Sequence, residues 1–465
     1  MGERAMSSQP LIEVRSIDFV PLEERHGKVW HLWPIWFAGD AHLATLATGA
    51  LGIAMGANLF WSIVAIVGGC ALGTFFMAFH AAQGPQLGLP QMIQSRPQFG
   101  HLGALLVWGV ALVTYIGYNA FNQVLAGQTM HELAGLPTRP TMVVFTLIGL
   151  AVAFVGNDLI HTAQRMLAFT LIVILAAFSI GALIAVPLPA GQLDPARFLL
   201  VPFMMQFFAA AAYQLSWSIY VSDYSRYLPP NVGVKAAFWW TFAGAMLGGV
   251  WMMLVGALAV AAFPQMNVIA AARAVGDAIV PGFGTVLLVV AFASLITATS
   301  LNFYGASLTL LSIADAFRKV AATVKNRVIS LLIVMLASSA LSFSASGSFM
   351  HQYELLLSIL IYLFTPWTAI NLVDFYIVRK QHYSIPDIFD PDGIYGRWNA
   401  AGLIAYLIGF VVMVPFFSTH LFTGAAAKAI GGIDVSMLVG LPVSAIAYLW
   451  LCRREKIGEF AAQST

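Results

Sequence analysis

Long apolar runs recur along the chain from Trp30 to Leu451, separated by short stretches rich in charge, proline or glycine. A run of about 20 such residues crosses the ~30 Å hydrocarbon core of a bilayer as a helix. A spanning barrel would show short alternating segments instead, so the pattern predicts an all-α integral membrane protein. Twelve helices are expected. Helix 1 covers about Trp30 to Gly56, helix 2 Leu59 to Ala82, helix 3 His101 to Glu132 and helix 4 Thr141 to Val155. Helix 5 ends near Val186, helix 6 covers Val201 to Val221, helix 7 Ala236 to Phe263 and helix 8 Phe283 to Leu311. Helix 9 covers Val328 to Phe343, helix 10 Tyr353 to Val378 with a kink expected at Pro366, and helices 11 and 12 Ala400 to Phe417 and Ser436 to Leu451. Between helices 2 and 3, GPQLGLPQMIQSRPQFG (Gly84–Gly100) reads as a loop, because its prolines and glycines forbid a continuous helix.

Two of these helices carry polar residues where a membrane helix should carry none. Helix 1 reads WPIWFAGDAHLATLATGAL from Trp33 to Leu51, with Asp40 and His42 amid apolar neighbours. An ionisable group inside a spanning segment is expensive and marks a functional site by default. Ala38, Gly39 and Ala41 are small enough to permit an unwound turn with free carbonyls. Against this stands an interfacial Asp40 that reaches water, although Trp30, Trp33 and Trp36 already mark the interface below it. Helix 6 contains AAAAYQLSWS, again small residues followed by polar ones. Both helices are preceded by a proline, Pro34 and Pro202, and stand five helices apart, which suggests a five-plus-five inverted repeat. The expected organisation is a tail at residues 1–29, a ten-helix core at 30–380, a loop at 381–399, two additional helices at 400–452 and a tail at 453–465.

Composition excludes a soluble domain: 60% of the 465 residues are hydrophobic and only 9% charged, where about 25% charged is usual. Met1 to Val29 is polar and lacks the apolar core of a cleavable signal, so helix 1 is expected to do the targeting. With the N-terminus inside and twelve crossings, all but Arg139, Arg197, Arg273 and Lys428 of the 22 Lys and Arg fall on the inner side. That satisfies the positive-inside rule, and the chain is expected in the cell (inner) membrane with both termini cytoplasmic. Cys70 and Cys452 offer no disulfide framework or metal pair, and the ten histidines lack ligand spacing. No HExxH, nucleophile motif or acidic pair supports an enzyme. The net charge of +2 says little about partners, and no nucleic-acid partner is expected. The partners expected are the bilayer and a small molecule, with no obligate protein partner and no cofactor.

In helix 3, TYIGYNAFNQ places Tyr115 and Asn119 four apart on one face. An aromatic plate beside an amide suits a flat heterocycle, the ring stacking while the amide reads donors and acceptors. Helix 6 offers Tyr213, Gln214 and Trp217. Polar side chains also hydrogen-bond across membrane helices without any ligand, so each residue alone carries little; sets on two helices carry more. In helix 8, Ser294, Thr297 and Ser300 share one face. With carbonyls of Ala38 and Ala41 they suit an all-oxygen sodium cage, since hard cations take oxygen ligands. The competing reading is that these hydroxyls bond back to carbonyls one turn earlier.

The loop Gly84–Gly100 and VSDYSRYLP (Val221–Pro229) resemble signatures of the nucleobase:cation symporter family, the cytosine, purine, allantoin and hydantoin permeases. The resemblance extends from about Trp30 to Arg379. It implies the broken-helix inverted-repeat fold, alternating access, and one base-like substrate carried with sodium or protons. It places the family's helix 3 aromatic and amide on Tyr115 and Asn119, and its helix 6 aromatic near Gln214, which leaves Tyr213 or Trp217 as second plate. Its adjacent hydroxyl pair for sodium falls on Thr297 and Ala298, or, slid by two residues, on Thr299 and Ser300. The expectation is thus a nucleobase symporter with substrate at Tyr115, Asn119, Tyr213, Gln214, Trp217, Asp40 and His42. The cation is expected at Ala38, Ala41, Ser294 and Thr297: sodium, with a proton on Asp40 as the rival. An amino-acid symporter on the same fold, or a membrane-embedded enzyme, would be the alternatives.

Overall fold

The computed structural model describes residues 17–155, 157–321, 323–344 and 349–463. Of the expected tails, residues 1–16 with Arg4 and Arg15, and residues 464–465, lie outside the described residues, as do the side chains of Asp158, Arg454 and Lys456. Among the described residues the backbone is helical, with one isolated β-bridge between Ser418 and Thr423. Nine of these helices are long and apolar enough to cross a membrane. The twelve expected crossings require the two interrupted helices and the shorter apolar helix Ala400–Phe416 as well.

Helix 1 is broken. It runs Leu32–Asp40, stops at Ala41 (φ −87°, ψ 68°), and resumes as Leu43–Gly49. His42 is extended there and caps the second half, its Nδ1 accepting from the Ala44 N–H at 3.2 Å. An N-cap acceptor of this kind satisfies one of the orphan donors at a helix start. Helix 6 runs Leu200–Ser216, tightens into a 3-10 turn at Trp217–Ile219, and continues as Val221–Ser225. Helix 10 passes through Pro366 over Phe349–Val373 and ends in a π-turn at Asp374–Val378.

Helix 2 (Leu59–His80) and helix 7 (Val234–Ala262) support the two breaks in a symmetric way. On helix 2, a Cβ at Gly69 or Gly73 would lie 2.1 Å from the Phe207 carbonyl oxygen or 2.3 Å from that of Ala211, both on helix 6. On helix 7, a Cβ at Gly244, Gly248 or Gly256 would lie 2.4, 2.4 or 1.9 Å from the carbonyl oxygens of Trp33, Phe37 or Leu46, all on helix 1. Each half of the chain thus lends a GxxxG-bearing helix to the broken helix of the other half. Such small residues let membrane helices approach at backbone level. This exchange is what an inverted repeat requires, and it appears in packing although the halves share no convincing residue identity.

The Gly84–Gly100 stretch is a buried series of short turns, Gln83–Leu87, Ile93–Ser95 and Arg96–Phe99, rather than an open loop. Gly88 (φ 64°) ends the first turn in the left-handed region that glycine adopts freely. Trp108 Nε1 donates to the Met92 carbonyl at 2.7 Å. Arg96 is paired with Asp315 at 3.0 Å and lies 5.2 Å over the Trp108 ring. These contacts fix the stretch to helix 3 (Leu105–Ala134) and helix 8 (Phe283–Phe317). One element was not expected: Val268–Ile279, between helices 7 and 8, is an amphipathic helix capped by Asn267 Oδ1. At 12 residues it is too short to span, so an apolar-run criterion passes over it.

Candidate functional site

The two breaks and helices 3 and 8 line a cleft. The helix 1 break contributes His42, and helix 3 contributes Tyr118 and Asn122. Helix 6 contributes Tyr213, Ser216, Trp217 and Tyr220, and helix 8 contributes Ala298 and Asn302. Helix 6 supplies three aromatic rings because its 3-10 turn advances about 120° per residue, which brings Tyr220 round beside Trp217, ring centroids 4.9 Å apart.

The hydrogen bonds within the walls determine what a ligand meets. His42 Nδ1 accepts from a backbone N–H, so its ring proton sits on Nε2 and points to the Tyr213 hydroxyl at 3.1 Å. Tyr213 in turn donates to Thr45 Oγ1 at 2.6 Å. Ser216 donates to the Tyr213 carbonyl, so the Tyr118 hydroxyl donates to Ser216 Oγ at 3.0 Å. Tyr220 donates to Asn302 Oδ1 at 2.6 Å, which leaves the Asn302 amide nitrogen as a donor. Asn122 Nδ2 donates to Thr299 Oγ1 at 3.0 Å, and its Oδ1 has no partner. The helix 3–helix 8 wall therefore presents a donor from Asn302 on helix 8 and an acceptor from Asn122 on helix 3, whose partner Thr299 stands three residues before Asn302.

Of the residues expected from sequence, His42, Tyr213 and Trp217 line this cleft. Tyr115, Asn119, Gln214 and Asp40 do not. The Tyr115 hydroxyl donates to the Ile219 carbonyl at 3.3 Å, and the ring packs on Gly305. Asn119 is buried with neither amide atom partnered. Gln214 turns to helix 7, its Nε2 donating to the Ala245 carbonyl at 3.3 Å. Asp40 is buried behind the cleft, with the Gln214 amide and the Trp217 indole beside its carboxylate. The aromatic and amide of helix 3 that face the cleft are Tyr118 and Asn122, the same four-residue spacing three positions later. Both patterns stand in TYIGYNAFNQ, and sequence spacing does not say which face turns inward.

The expected cation ligands meet in part. Ser294 Oγ donates to the Ala38 carbonyl at 2.9 Å, joining helix 8 to the helix 1 break, and Thr297 Oγ1 donates to the Ser294 carbonyl at 2.8 Å. Ala41 stands in the break itself. The alternative pair is engaged elsewhere, Thr299 with Asn122 and Ser300 with the Gly149 carbonyl of helix 4 at 3.0 Å. Among the described residues no group of three or more His, Cys, Asp or Glu could hold a metal.

Residues 19–440 match the family model described as permease for cytosine/purines, uracil, thiamine, allantoin. The chain belongs to this family. The cytosine/purine permease family comprises transporters, so this chain is a multi-pass membrane permease and not an enzyme. It is similar to YxlA of Bacillus subtilis, assigned as a purine-cytosine permease, at 37% identity over 445 residues, 95% of this chain and 96% of that one. It is similar also to the purine-cytosine permease fcyB of Emericella nidulans, at 24% over 470 residues, 95% and 88% of the two chains. Among solved structures it resembles Mhp1, a nucleobase-cation-symport-1 family transporter in a closed conformation with bromovinylhydantoin bound. The TM-score is 0.76 at 17% identity, over 96% of this chain and 97% of that one. That likeness carries the fold, including the two broken helices of an inverted repeat.

Proposed function

We propose that this permease imports a nucleobase or related nitrogen heterocycle by cation symport, with alternating access across the cell (inner) membrane and both termini in the cytoplasm. The carrying observation is the cleft itself: aromatic rings from helices 3 and 6 with an acceptor (Asn122) and a donor (Asn302) on one wall. A planar base stacks on such rings, and its edge places donors beside acceptors. Tyr118 and Trp217 act as plates, Asn122 and Asn302 read the edge, and His42 holds Tyr213 in place from the helix 1 break. The purine-cytosine permeases among its relatives support the substrate class. Helices 1, 2, 6 and 7 move together against 3, 4, 8 and 9, which the backbone-level contacts within the first set favour.

Sodium is the proposed coupling ion, at Ala38, Ala41, Ser294 and Thr297. The Ser294–Ala38 contact supports it, because a helix 8 hydroxyl and a carbonyl beside the helix 1 break meet there and both are hard oxygen ligands. The test is uptake of labelled cytosine into proteoliposomes, with unlabelled purines, hydantoins and thiamine-precursor pyrimidines as competitors. Saturable uptake that rises with external sodium at fixed pH is expected. Failure of every heterocycle to be taken up or to compete would defeat the substrate reading. Sodium-independent uptake driven by a pH gradient, and lost in Asp40→Asn, would replace sodium by protons.

A further inference from the structure

Helix 5 (Asn157–Ala185) packs against both helix 1 and helix 8. Its Gln164 is completely buried, and neither Oε1 nor Nε2 has a hydrogen-bond partner. A buried primary amide with both ends unpaired loses the hydrogen bonds it made in water without replacement, and such a group in a native fold calls for a partner. The position of the amide indicates which one. A Cβ built on Gly39 would find Gln164 Nε2 as its nearest heavy atom, at 3.7 Å. Gly39 shares its peptide with Ala38, whose carbonyl accepts from Ser294 Oγ at 2.9 Å. The amide end of Gln164 therefore reaches the helix 1 break at the side where helix 8 meets it. Since no hydrogen bond holds either end, the amide is free to turn over and present its oxygen.

We propose that Gln164 is a ligand of the coupling cation, bringing a third helix to a sodium site otherwise drawn from helices 1 and 8. This rests on the sodium reading above and adds a neutral oxygen donor to it. A site of carbonyl, hydroxyl and amide oxygens suits a small monovalent cation, which needs several hard oxygen ligands but not several charges. It also gives helix 5, which contributes nothing to the substrate cleft, a reason to carry an amide at that depth.

The test reads sodium binding without any organic substrate. Purified protein in detergent is melted in rising sodium chloride, with choline chloride holding ionic strength constant. A cation that binds only the folded state raises the melting temperature with a concentration dependence that gives its affinity. For Gln164→Leu, which keeps the bulk but not the oxygen, the half-saturating sodium concentration should rise about tenfold or more. Gln164→Glu keeps an oxygen of the same reach and should need no more sodium than the parent, which also serves if the leucine variant does not fold. A parent-like sodium response in Gln164→Leu, or a weakened one in Gln164→Glu, overturns the assignment and leaves the site on helices 1 and 8 intact. A parent that sodium does not stabilise beyond choline overturns the sodium reading itself and this assignment with it.

Discussion

His42 Nε2 lies 3.1 Å from the Tyr213 hydroxyl, a contact that joins the break of helix 1 to the wall of helix 6. Because Nδ1 is committed to the Ala44 N–H, His42 can only donate here, and Tyr213 passes the donation on to Thr45. Tyr213→Phe removes the hydroxyl and strands a buried donor and a buried acceptor at once, each costing about 1–3 kcal/mol. We expect the half-saturating substrate concentration to rise about tenfold or more, with the protein still present in the membrane. Uptake kinetics at normalised expression check this; parent-like kinetics would remove the His42–Tyr213–Thr45 chain from the site.

Replacing Tyr118 or Asn122 by alanine should weaken uptake by about tenfold or more, since a lost stack or buried hydrogen bond costs about 1–3 kcal/mol. Asn122→Ala should also flatten the preference among competing heterocycles, because it removes an unpaired acceptor of the cleft wall. Tyr115→Ala should behave differently. It empties a packed position against Gly305 and Ile219 and should lower the amount of folded protein more than the substrate affinity of what remains. Equal binding defects in all three variants would contradict this division.

The Arg96–Asp315 pair is a stability element. Arg96 has only 1% of its side chain exposed, so Asp315→Ala would leave a buried guanidinium without its carboxylate. Breaking a buried pair from one side costs about 3–5 kcal/mol. Asp315→Ala should therefore lose most folded protein in a detergent melting assay, while the double change Arg96→Met with Asp315→Leu should recover a large part. A double variant as unstable as the single would show that the charges are needed for more than each other.

His101, just ahead of helix 3, is held down to about 4 by burial and, after it, by the charges of Arg96 and Arg397. Its ordinary value is 6.5. Between these values the unfolded chain binds a proton that the folded chain does not, so stability contributed at higher pH is lost as pH falls from about 6.5 toward 4. His101→Asn should reduce this acid sensitivity, measured as the change in melting temperature between pH 7 and pH 5 (about two units apart). An unchanged acid response would place the effect on other groups.

Much of the architecture was legible because a bilayer leaves few options: long apolar runs must be helices, and Asp40 beside Gly39 cannot sit in an unbroken one at low cost. The helix 1 break falls one residue after Asp40, at Ala41 and His42. What sequence left open was rotation. Tyr115/Asn119 and Tyr118/Asn122 have the same spacing, and only the packing of helix 3 on Ile219, Gly305 and Thr299 determines which pair faces helix 6 across a gap. Tyr220 and Asn302 were hidden for a related reason, since a 3-10 turn and a single amide in a hydroxyl-rich helix leave no periodic trace. Gln164 is a single amide near the start of helix 5, and no repeat or spacing in the sequence marks it.

The glycines of helix 7 touch helix 1 on both sides of its interruption, at Phe37 before it and at Leu46 after it. Helix 7 therefore acts as a splint across the gap. The gap cannot bend like a knee without prising two backbones apart, and there is no layer of side chains between them to absorb the strain. The interruption is then a fixed piece of binding surface, its caps and carbonyls held at constant geometry. The flexing that alternating access demands must be sought at the seams of the splinted assembly, where side chains rather than backbones meet.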